Sequence, residues 1–129
     1  MKVSQSLLNE LMGKAEDAYP NECCGLLLGG ANHIELIQPA ANTHPMPQTH
    51  FEIDPAALIA AHRAQRADGP QIAGFYHSHP AGPPEPSATD SAMAAHDGKI
   101  WAIIGRGQIK FWRDDIGGFK LLSYAVTGG

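Results

Sequence analysis

Seven consecutive residues, 80–86, include four prolines, and this run limits the structure on both sides of it. Proline lacks the backbone N–H that helices and inner strands require, so the run is predicted to be a loop. The apolar segment before it, 72–76, is predicted to be a buried strand. A short helix is predicted after it, over roughly residues 88–96. A strand therefore leads into the proline-rich loop, and a helix leaves it.

The rest of the chain predicts a mixed α/β (α+β) fold. Apolar residues recur at helical spacing from Leu7 to Ala15 behind a capping Ser4, which predicts an amphipathic helix over 4–18. A second helix is predicted over 55–67, because Asp54-Pro55 combines a cap with proline at the first helical position. Further strands are predicted at 25–29, 33–38, 99–104, 108–113 and 119–126, with a hairpin turn at Gly30-Ala31-Asn32 and a loop over 39–50. The expected architecture is a mixed sheet of about six strands flanked by two or three helices.

Length, charge and cysteine usage restrict the function classes. With 129 residues the chain is long enough for one domain and too short for two, so 1–129 is predicted to be a single domain. A formal net charge of −4 argues against nucleic-acid binding, which usually requires a basic patch. The cysteines, Cys23 and Cys24, are adjacent, which excludes a disulfide framework and suits a reducing cytosol. No signal core or membrane-length apolar run occurs, so a cytoplasmic protein without membrane contact is expected.

The candidate metal-ligating residues begin at the end of the strand before the proline-rich loop. Side chains alternate along a strand, so His77 and His79 are expected to point the same way. Asp90, delivered by the loop, adds a carboxylate, and two imidazoles with one carboxylate make a ligand set that zinc prefers. Three protein ligands leave a fourth position for water, as in catalytic zinc sites. Such a water has its pKa lowered to about 7, and a nearby carboxylate can take its proton during attack on a carbonyl.

Each of these features also has a simpler interpretation. Two histidines separated by one residue occur by chance at surfaces and in cores. The sequence Ser87-Ala88-Thr89-Asp90 also has the form of a helix capping box, with Ser87 as cap and Asp90 three residues on. Asp90 is not expected to give its whole carboxylate to both a cap and a metal. The clustering of all these residues at one strand end, within one short window, favours the metal site.

The same residues resemble a known motif. Glu22, then His77-Ser78-His79-Pro80, then Ser87 and Asp90, is similar in every spacing to the JAMM motif of the MPN-domain metallopeptidases. The surrounding residues 20–27, Asn42, Phe51 and 74–76 also resemble the short, stand-alone bacterial members. The resemblance covers nearly the whole chain and implies an MPN-like fold over 1–129.

The resemblance also implies roles for five residues. His77, His79 and Asp90 would bind one zinc ion per chain. Glu22 would act as the general base on the zinc-bound water and then pass the proton to the leaving amine. Ser87 would donate a hydrogen bond to the tetrahedral oxyanion. The role of Glu22 is implied only by the resemblance, because a single glutamate 55 residues before His77 is otherwise typical of an exposed loop.

The implied activity is hydrolysis of the amide or isopeptide bond after the C-terminal glycine of a ubiquitin-like protein. Short bacterial members resemble enzymes that act on sulfur-carrier proteins with a Gly-Gly tail, and such a flexible tail can enter a narrow cleft as an extended strand. The alternative is a non-catalytic MPN scaffold that binds protein partners, but such relatives typically lose ligand residues, whereas all five positions are present here. A metal-dependent amidohydrolase barrel would need on the order of 250 residues. A zinc deaminase would need a Pro-Cys-x-x-Cys segment that the chain lacks.

Several properties stay open at this level. The pattern does not specify which carrier is cleaved, or whether the leaving group is cysteine, a short peptide or a lysine side chain. It also leaves a homodimer open. The two cysteines are expected to be buried, inert thiols, and the terminal Gly128-Gly129 is expected to be a tail without function. The other histidines lack ligand spacing and are expected at the surface, with His44 and His50 at the edge of the cleft: His33, His44, His50, His62 and His96.

Overall fold

The structure, a computed structural model, describes residues 1–30 and 32–128. Its elements in chain order are β1 (Lys2–Ser4), α1 (Gln5–Ala18), β2 (Cys24–Gly30), β3 (His33–Ala40), α2 (Pro55–Arg66), β4 (Ile72–His79), α3 (Ala88–Met93), β5 (Ile100–Gly105), β6 (Gln108–Asp115), β7 (Gly118–Leu122) and β8 (Ala125–Thr127). The strands form one mixed sheet in the order β7-β6-β5-β4-β2-β3-β1-β8. The predicted α+β class with a mixed sheet and flanking helices is confirmed, but the sheet has eight strands rather than about six.

The two additional strands lie where the sequence signal is weak. β1 has three residues, which is too short for a periodic pattern, and it pairs in parallel with β8. The region predicted as one strand over 119–126 is instead two strands, β7 and β8, separated by Ser123 and Tyr124. Tyr124 leaves the sheet to pack its ring on Phe111 and to donate a hydrogen bond to the carbonyl of Ile109.

Both long helices begin where their caps predict. The Ser4 hydroxyl accepts the Leu7 N–H at the start of α1, and the Asp54 carboxylate accepts the Ala56 N–H at the start of α2, with Pro55 in the first turn. The predicted turn at Gly30-Ala31-Asn32 includes Ala31, which lies outside the described residues, as does Gly129 of the predicted tail. Within the described ranges, no helix is long and apolar enough to cross a membrane.

Two predicted boundaries are wrong for identifiable reasons. The helix predicted over 88–96 ends at Met93, because Ala94 is already extended (φ −67°, ψ 136°). Further on, His96 is left-handed (φ 55°) and donates its backbone N–H to the buried carboxylate of Asp114. β3 continues through Pro39 to Ala40 although a loop was expected from residue 39. Proline is tolerated there because β1 pairs with β3 only near His33, which leaves the later part of β3 as an edge.

The sheet is covered on both faces, which explains the unbroken apolar run of β2. Leu27 joins a cluster that includes Leu7 and Leu11 of α1. Its neighbours Leu26 and Leu28 point to the opposite face and pack with Ala61 of α2. A strand that is buried on both faces appears in the sequence as a continuous apolar run, because neither set of alternating side chains faces solvent.

The strand pairing brings three chain segments to one end of the sheet. β4 and β5 run parallel, with His79 opposite Gly105. β2 runs antiparallel to β4, with Cys24 opposite His77. The start of β2 therefore lies beside the end of β4, and the residue two positions before Cys24 is carried towards His79.

Candidate metal centre

Three side chains from β4 and α3 converge at this end of the sheet. The Nε2 atoms of His77 and His79 lie 3.1 Å apart, and each lies 3.1 Å from a carboxylate oxygen of Asp90. One potential ligand atom from each of the three residues lies within 4.8 Å of the others. Elsewhere in the part of the chain that the structure describes, no other three His, Cys, Asp or Glu side chains meet in this way.

The geometry and chemistry of this donor set fit zinc. Zinc bonds of about 2.0–2.1 Å arranged tetrahedrally separate ligand atoms by about 3.3 Å, close to the separations found here. His77 and Asp90 are buried, and the side chain of His79 is 11% exposed, so the three ligand atoms face a site open on one side. Burial lowers the pKa of His77, which favours the neutral imidazole that metal binding requires.

His79 is oriented by the proline-rich loop. Its Nδ1 lies 2.8 Å from the carbonyl oxygen of Pro83. Because a carbonyl only accepts, Nδ1 carries a proton, and Nε2 is the ring atom left to face His77, Asp90 and any metal ion bound there. The loop is held in turn by Trp112, whose indole N–H donates to the Pro84 carbonyl at 3.1 Å. The run that the sequence marks only as a loop therefore supplies the outer support of a candidate ligand.

Gly105 allows this loop to lie against the end of β5. A methyl group added at Gly105 would lie 2.8 Å from the carbonyl carbon of Pro83 and closer still to the carbonyl oxygen of Gly82. These are backbone atoms, so the loop itself would have to move.

Changing Gly105 to alanine is therefore expected to displace Pro83 and weaken zinc binding by about 10–100-fold, the usual effect of losing an outer-shell partner of a ligating histidine. The measurement is the zinc dissociation constant from competition with a chromogenic chelator. Gly117→Ala is the matched control, because a methyl group there would meet nothing within 4 Å. Equal zinc affinity in the Gly105 and Gly117 variants would contradict the role of the loop.

His77 is positioned by ring packing instead. Its imidazole stacks on Phe51 with ring centroids 4.3 Å apart, and it meets the edge of Trp101 at 5.6 Å. Among the described residues, its Nδ1 has no hydrogen-bond partner. The two histidines are thus positioned differently: His79 by a hydrogen bond to Pro83, and His77 by packing against Phe51 and Trp101.

Asp90 takes part in a helix cap and in the ligand cluster at the same time. The Ser87 hydroxyl accepts the Asp90 N–H at 3.0 Å, and Asp90 Oδ2 accepts the Ser87 N–H at 2.9 Å, which completes the capping box of α3. The same carboxylate lies 3.1 Å from both imidazoles. The capping box that the sequence predicts is present, and the same carboxylate also faces both imidazoles. Burial would raise its pKa, but the hydrogen bonds with His77, His79 and Ser87 hold the pKa well below its usual range.

Glu22 lies beside this cluster although 55 residues separate it from His77. The antiparallel pairing is locked at this point, because the Cys23 N–H donates to the Ser78 hydroxyl at 2.8 Å and the Ser78 N–H donates to the Cys23 carbonyl at 3.2 Å. Glu22 is 6% exposed, and burial raises its pKa to about 7, opposed by the nearby His79. A carboxyl group with this pKa can both accept and release a proton near neutral pH.

Asn42 holds the backbone around Glu22, a role that the sequence pattern did not identify. Its side-chain amide donates to the carbonyls of Glu22 and His50 at 3.1 and 3.0 Å. Its oxygen accepts the N–H groups of His44 and Glu52 at 3.1 and 3.0 Å. One amide therefore ties the segment before β2 to both ends of the loop after β3. A single Asn has no sequence signal for such a clamp.

The remaining candidate residues are not part of the ligand cluster. His44 and His50 stack on each other with centroids 4.7 Å apart in the loop after β3, and His50 lines the same cavity as Glu22. Cys24 is buried, and burial raises the pKa of its thiol to about 12. Burial also raises the pKa of Cys23. High thiol pKa values are characteristic of inert rather than nucleophilic cysteines.

Comparison with known families gives one match over most of the chain. The family described as prokaryotic homologs of the JAB domain matches residues 4–115. A protein of Haloferax volcanii named desampylase is 34% identical over 126 residues, which cover 94% of this chain and 89% of the relative. A protein of Thermus thermophilus named as a probable TtuB-protein conjugate cleaving protease is 38% identical over 88 residues, covering 68% and 59%. A CysO-cysteine peptidase of Mycobacterium tuberculosis is 25% identical over 127 residues, covering 97% and 85%.

Solved structures share the fold. The solution structure of a protein from Desulfitobacterium hafniense has a TM-score of 0.85 at 28% identity, covering 99% of this chain and 93% of that one. A structure described as a metalloprotease-like zinc site of the JAMM type has a TM-score of 0.62 at 20% identity, covering 98% of this chain and 97% of that one. The second likeness concerns the fold alone.

Proposed function

Because the chain belongs to the prokaryotic JAB-domain family, the stand-alone JAMM/MPN proteins, we propose that it is a zinc-dependent peptidase that cleaves the bond after the C-terminal glycine of a ubiquitin-like or sulfur-carrier protein. The chain is a JAMM-type hydrolase. The observation that carries the proposal is the convergence of His77, His79 and Asp90 beside a buried glutamate.

In this proposal each site residue has one task. His77, His79 and Asp90 would hold a zinc ion, each imidazole offering Nε2 and Asp90 a carboxylate oxygen. Zinc in such a site acts as a Lewis acid and lowers the pKa of water that it binds. Glu22 accepts a proton from the attacking water and returns it to the nitrogen of the leaving amine, for which a pKa of about 7 is suitable.

Ser87 is proposed to stabilise negative charge on the carbonyl oxygen. Its hydroxyl oxygen already accepts the Asp90 N–H at 3.0 Å, which leaves its single hydrogen available to donate outward. The side chain is exposed at the first turn of α3, next to the ligand that it caps. A donor of this kind is typically worth about 2.7–4 kcal/mol in the transition state.

The substrate class follows from the relatives' names together with the chemistry of a glycine tail. The relatives are named for conjugates of small modifier proteins or for the release of cysteine from a carrier. A Gly-Gly tail lacks Cβ atoms, so its backbone can approach a partly buried metal more closely than other sequences can. All five motif positions are present, which favours an enzyme over a scaffold.

The experiment is to mix the zinc-loaded chain with candidate carriers that end in Gly-Gly-X and to follow release of X by mass spectrometry. The expected result is metal-dependent cleavage after the second glycine, which stops when a chelator removes zinc and resumes when zinc is restored. Chelator-insensitive cleavage would contradict the zinc mechanism. Absence of cleavage of every Gly-Gly conjugate by a zinc-loaded chain would contradict the substrate class.

A further inference from the structure

Ser78 lies between the two candidate ligand histidines and has no task in the proposed reaction. Side chains alternate along a strand, so its hydroxyl points to the opposite face of β4 from the imidazoles. On that face Ser78 is 3% exposed and lines a cavity together with Met12 and Ala15 of α1. The hydroxyl is therefore turned away from the candidate ligand atoms, and any effect on the reaction has to pass through a neighbouring residue.

The Ser78 hydroxyl joins the end of β4 to the segment before β2. Cys24 pairs with His77, so Cys23 and Ser78 extend this antiparallel pairing by one residue. Residues that face each other in a hydrogen-bonded antiparallel pair usually exchange two backbone bonds. One of the two bonds here is of that kind, from the Ser78 N–H to the Cys23 carbonyl at 3.2 Å. In the other, the Cys23 N–H donates to the Ser78 hydroxyl at 2.8 Å, so a side-chain oxygen takes the place of a backbone carbonyl.

Glu22 depends on this link because its own backbone is tied to a different part of the chain. Its N–H donates to the Pro47 carbonyl at 2.7 Å, and its carbonyl accepts from the Asn42 amide at 3.1 Å. Both partners lie in the segment between β3 and α2, not on the strand that carries the histidines. The tie to that strand comes one residue later, where Cys23 meets Ser78.

We propose that Ser78 is a positioning residue for the general base, and that its hydroxyl fixes the distance between the Glu22 carboxylate and the candidate metal centre. The inference rests on the proposed function, in which Glu22 moves the proton. Without the hydroxyl, the Cys23 N–H loses its acceptor or has to move to reach another one. In both cases the backbone of residues 22 and 23 shifts relative to the ligands, and a misplacement of about 1 Å can cost about 10²-fold in rate.

The test compares kcat, KM and zinc content of Ser78→Ala with those of the wild-type chain on a cleaved carrier. We expect kcat to fall by about 10–100-fold with KM and zinc content unchanged, because a misplaced base slows proton transfer without altering the contacts to substrate or metal. Ser78→Thr is expected to recover most of kcat, since it keeps the hydroxyl and the adjoining cavity of about 350 Å³ has room for a methyl group.

Two further variants separate positioning from stability. Ser4→Ala is the matched control, because the Ser4 hydroxyl also accepts a backbone N–H, that of Leu7 at 3.1 Å, but at the start of α1. Both alanine variants are expected to lower the melting temperature, whereas only Ser78→Ala is expected to lower kcat. Ser78→Cys, which puts a weak sulfur acceptor in the same place, carries the test if the alanine protein does not fold, and its kcat is expected to fall at full zinc content.

The same change in a Glu22→Gln background gives the sharpest discrimination. If Ser78 acts only through the base, Ser78→Ala has no further effect on the residual kcat, because residues that act as a unit are not additive. Effects that multiply would show that Ser78 acts through another group and would overturn the inference. A wild-type kcat in the single Ser78→Ala protein would also overturn it, as would a loss of zinc in proportion to the loss of kcat.

These outcomes distinguish the inference from the proposed function. If the wild-type chain cleaves a Gly-Gly conjugate and Ser78→Ala cleaves it equally fast, the inference fails and the proposed function stands. If a zinc-loaded wild-type chain cleaves no such conjugate, both fail.

Discussion

Replacing Glu22 with glutamine is expected to lower kcat by about 10²–10⁴-fold while the protein keeps its zinc, because an amide cannot accept the proton of the attacking water. Glutamine has nearly the same shape as glutamate. The backbone of Glu22 is held independently of the side chain, through its N–H to the Pro47 carbonyl at 2.7 Å and its carbonyl to Asn42. The fold is therefore expected to survive the change.

The measurement combines kcat on a cleaved carrier with zinc content and melting temperature of the same preparation. Loss of turnover with full zinc occupancy separates a proton-transfer role from a ligand role. Glu35→Gln is a suitable control, since Glu35 is exposed on β3 and is not part of the ligand cluster. A Glu22→Gln protein with wild-type turnover would show that another group removes the proton.

Replacing His77 with alanine is expected to remove zinc and activity together. His77 is fully buried and would supply one of three zinc ligands, so its loss would leave one imidazole and one carboxylate, too few for a stable catalytic zinc site. His62→Ala is the matched control, because His62 is exposed on α2 and is not part of the ligand cluster. Zinc content by elemental mass spectrometry is the readout.

The Asp90→Asn variant tests whether the loss of zinc could instead be caused by misfolding. The amide oxygen of asparagine can still accept the Ser87 N–H, so the cap of α3 is kept while the charged ligand is lost. Both variants are expected to lose zinc while the Asp90 variant keeps its secondary structure. Full zinc occupancy in either one would place the metal at other residues.

The sequence predicts the elements of this fold well where local chemistry decides them. Ser4, Asp54 and Pro55 mark helix starts through caps, and the prolines of 80–86 exclude regular structure by removing donors. Strand β1 and the division between β7 and β8 were not predicted. Their few residues are stabilised by pairing and by Tyr124 packing rather than by a local pattern.

The candidate site is predictable only in the part that lies close together in sequence. The side-by-side placement of His77 and His79 follows from strand alternation, and it matches the 3.1 Å between their Nε2 atoms. Glu22 is brought to the site by the antiparallel pairing of β2 with β4. This is a long-range contact, so the local sequence pattern does not predict it. It was identified by resemblance to a known motif, and the pairing supplies the physical reason.

The supporting contacts were not predicted from the sequence, although Asn42 was among the residues that carry the family resemblance. Asn42, Gly105 and the Pro83 carbonyl act through single hydrogen bonds or close backbone contacts across the fold. The apolar cavity beside Glu22 is assembled from six separate parts of the chain, so its shape and charge become visible only in three dimensions.

The zinc content of the purified native chain tests the central claim most directly. After removal of metal with a chelator and exposure to a metal mixture, elemental mass spectrometry is expected to give close to one zinc per chain. The His62→Ala protein is expected to bind equally, and the His77→Ala protein is expected to bind almost none. A folded native chain that stays well below one zinc per chain, and cannot be filled by added zinc, would contradict the assignment of His77, His79 and Asp90 as a zinc site.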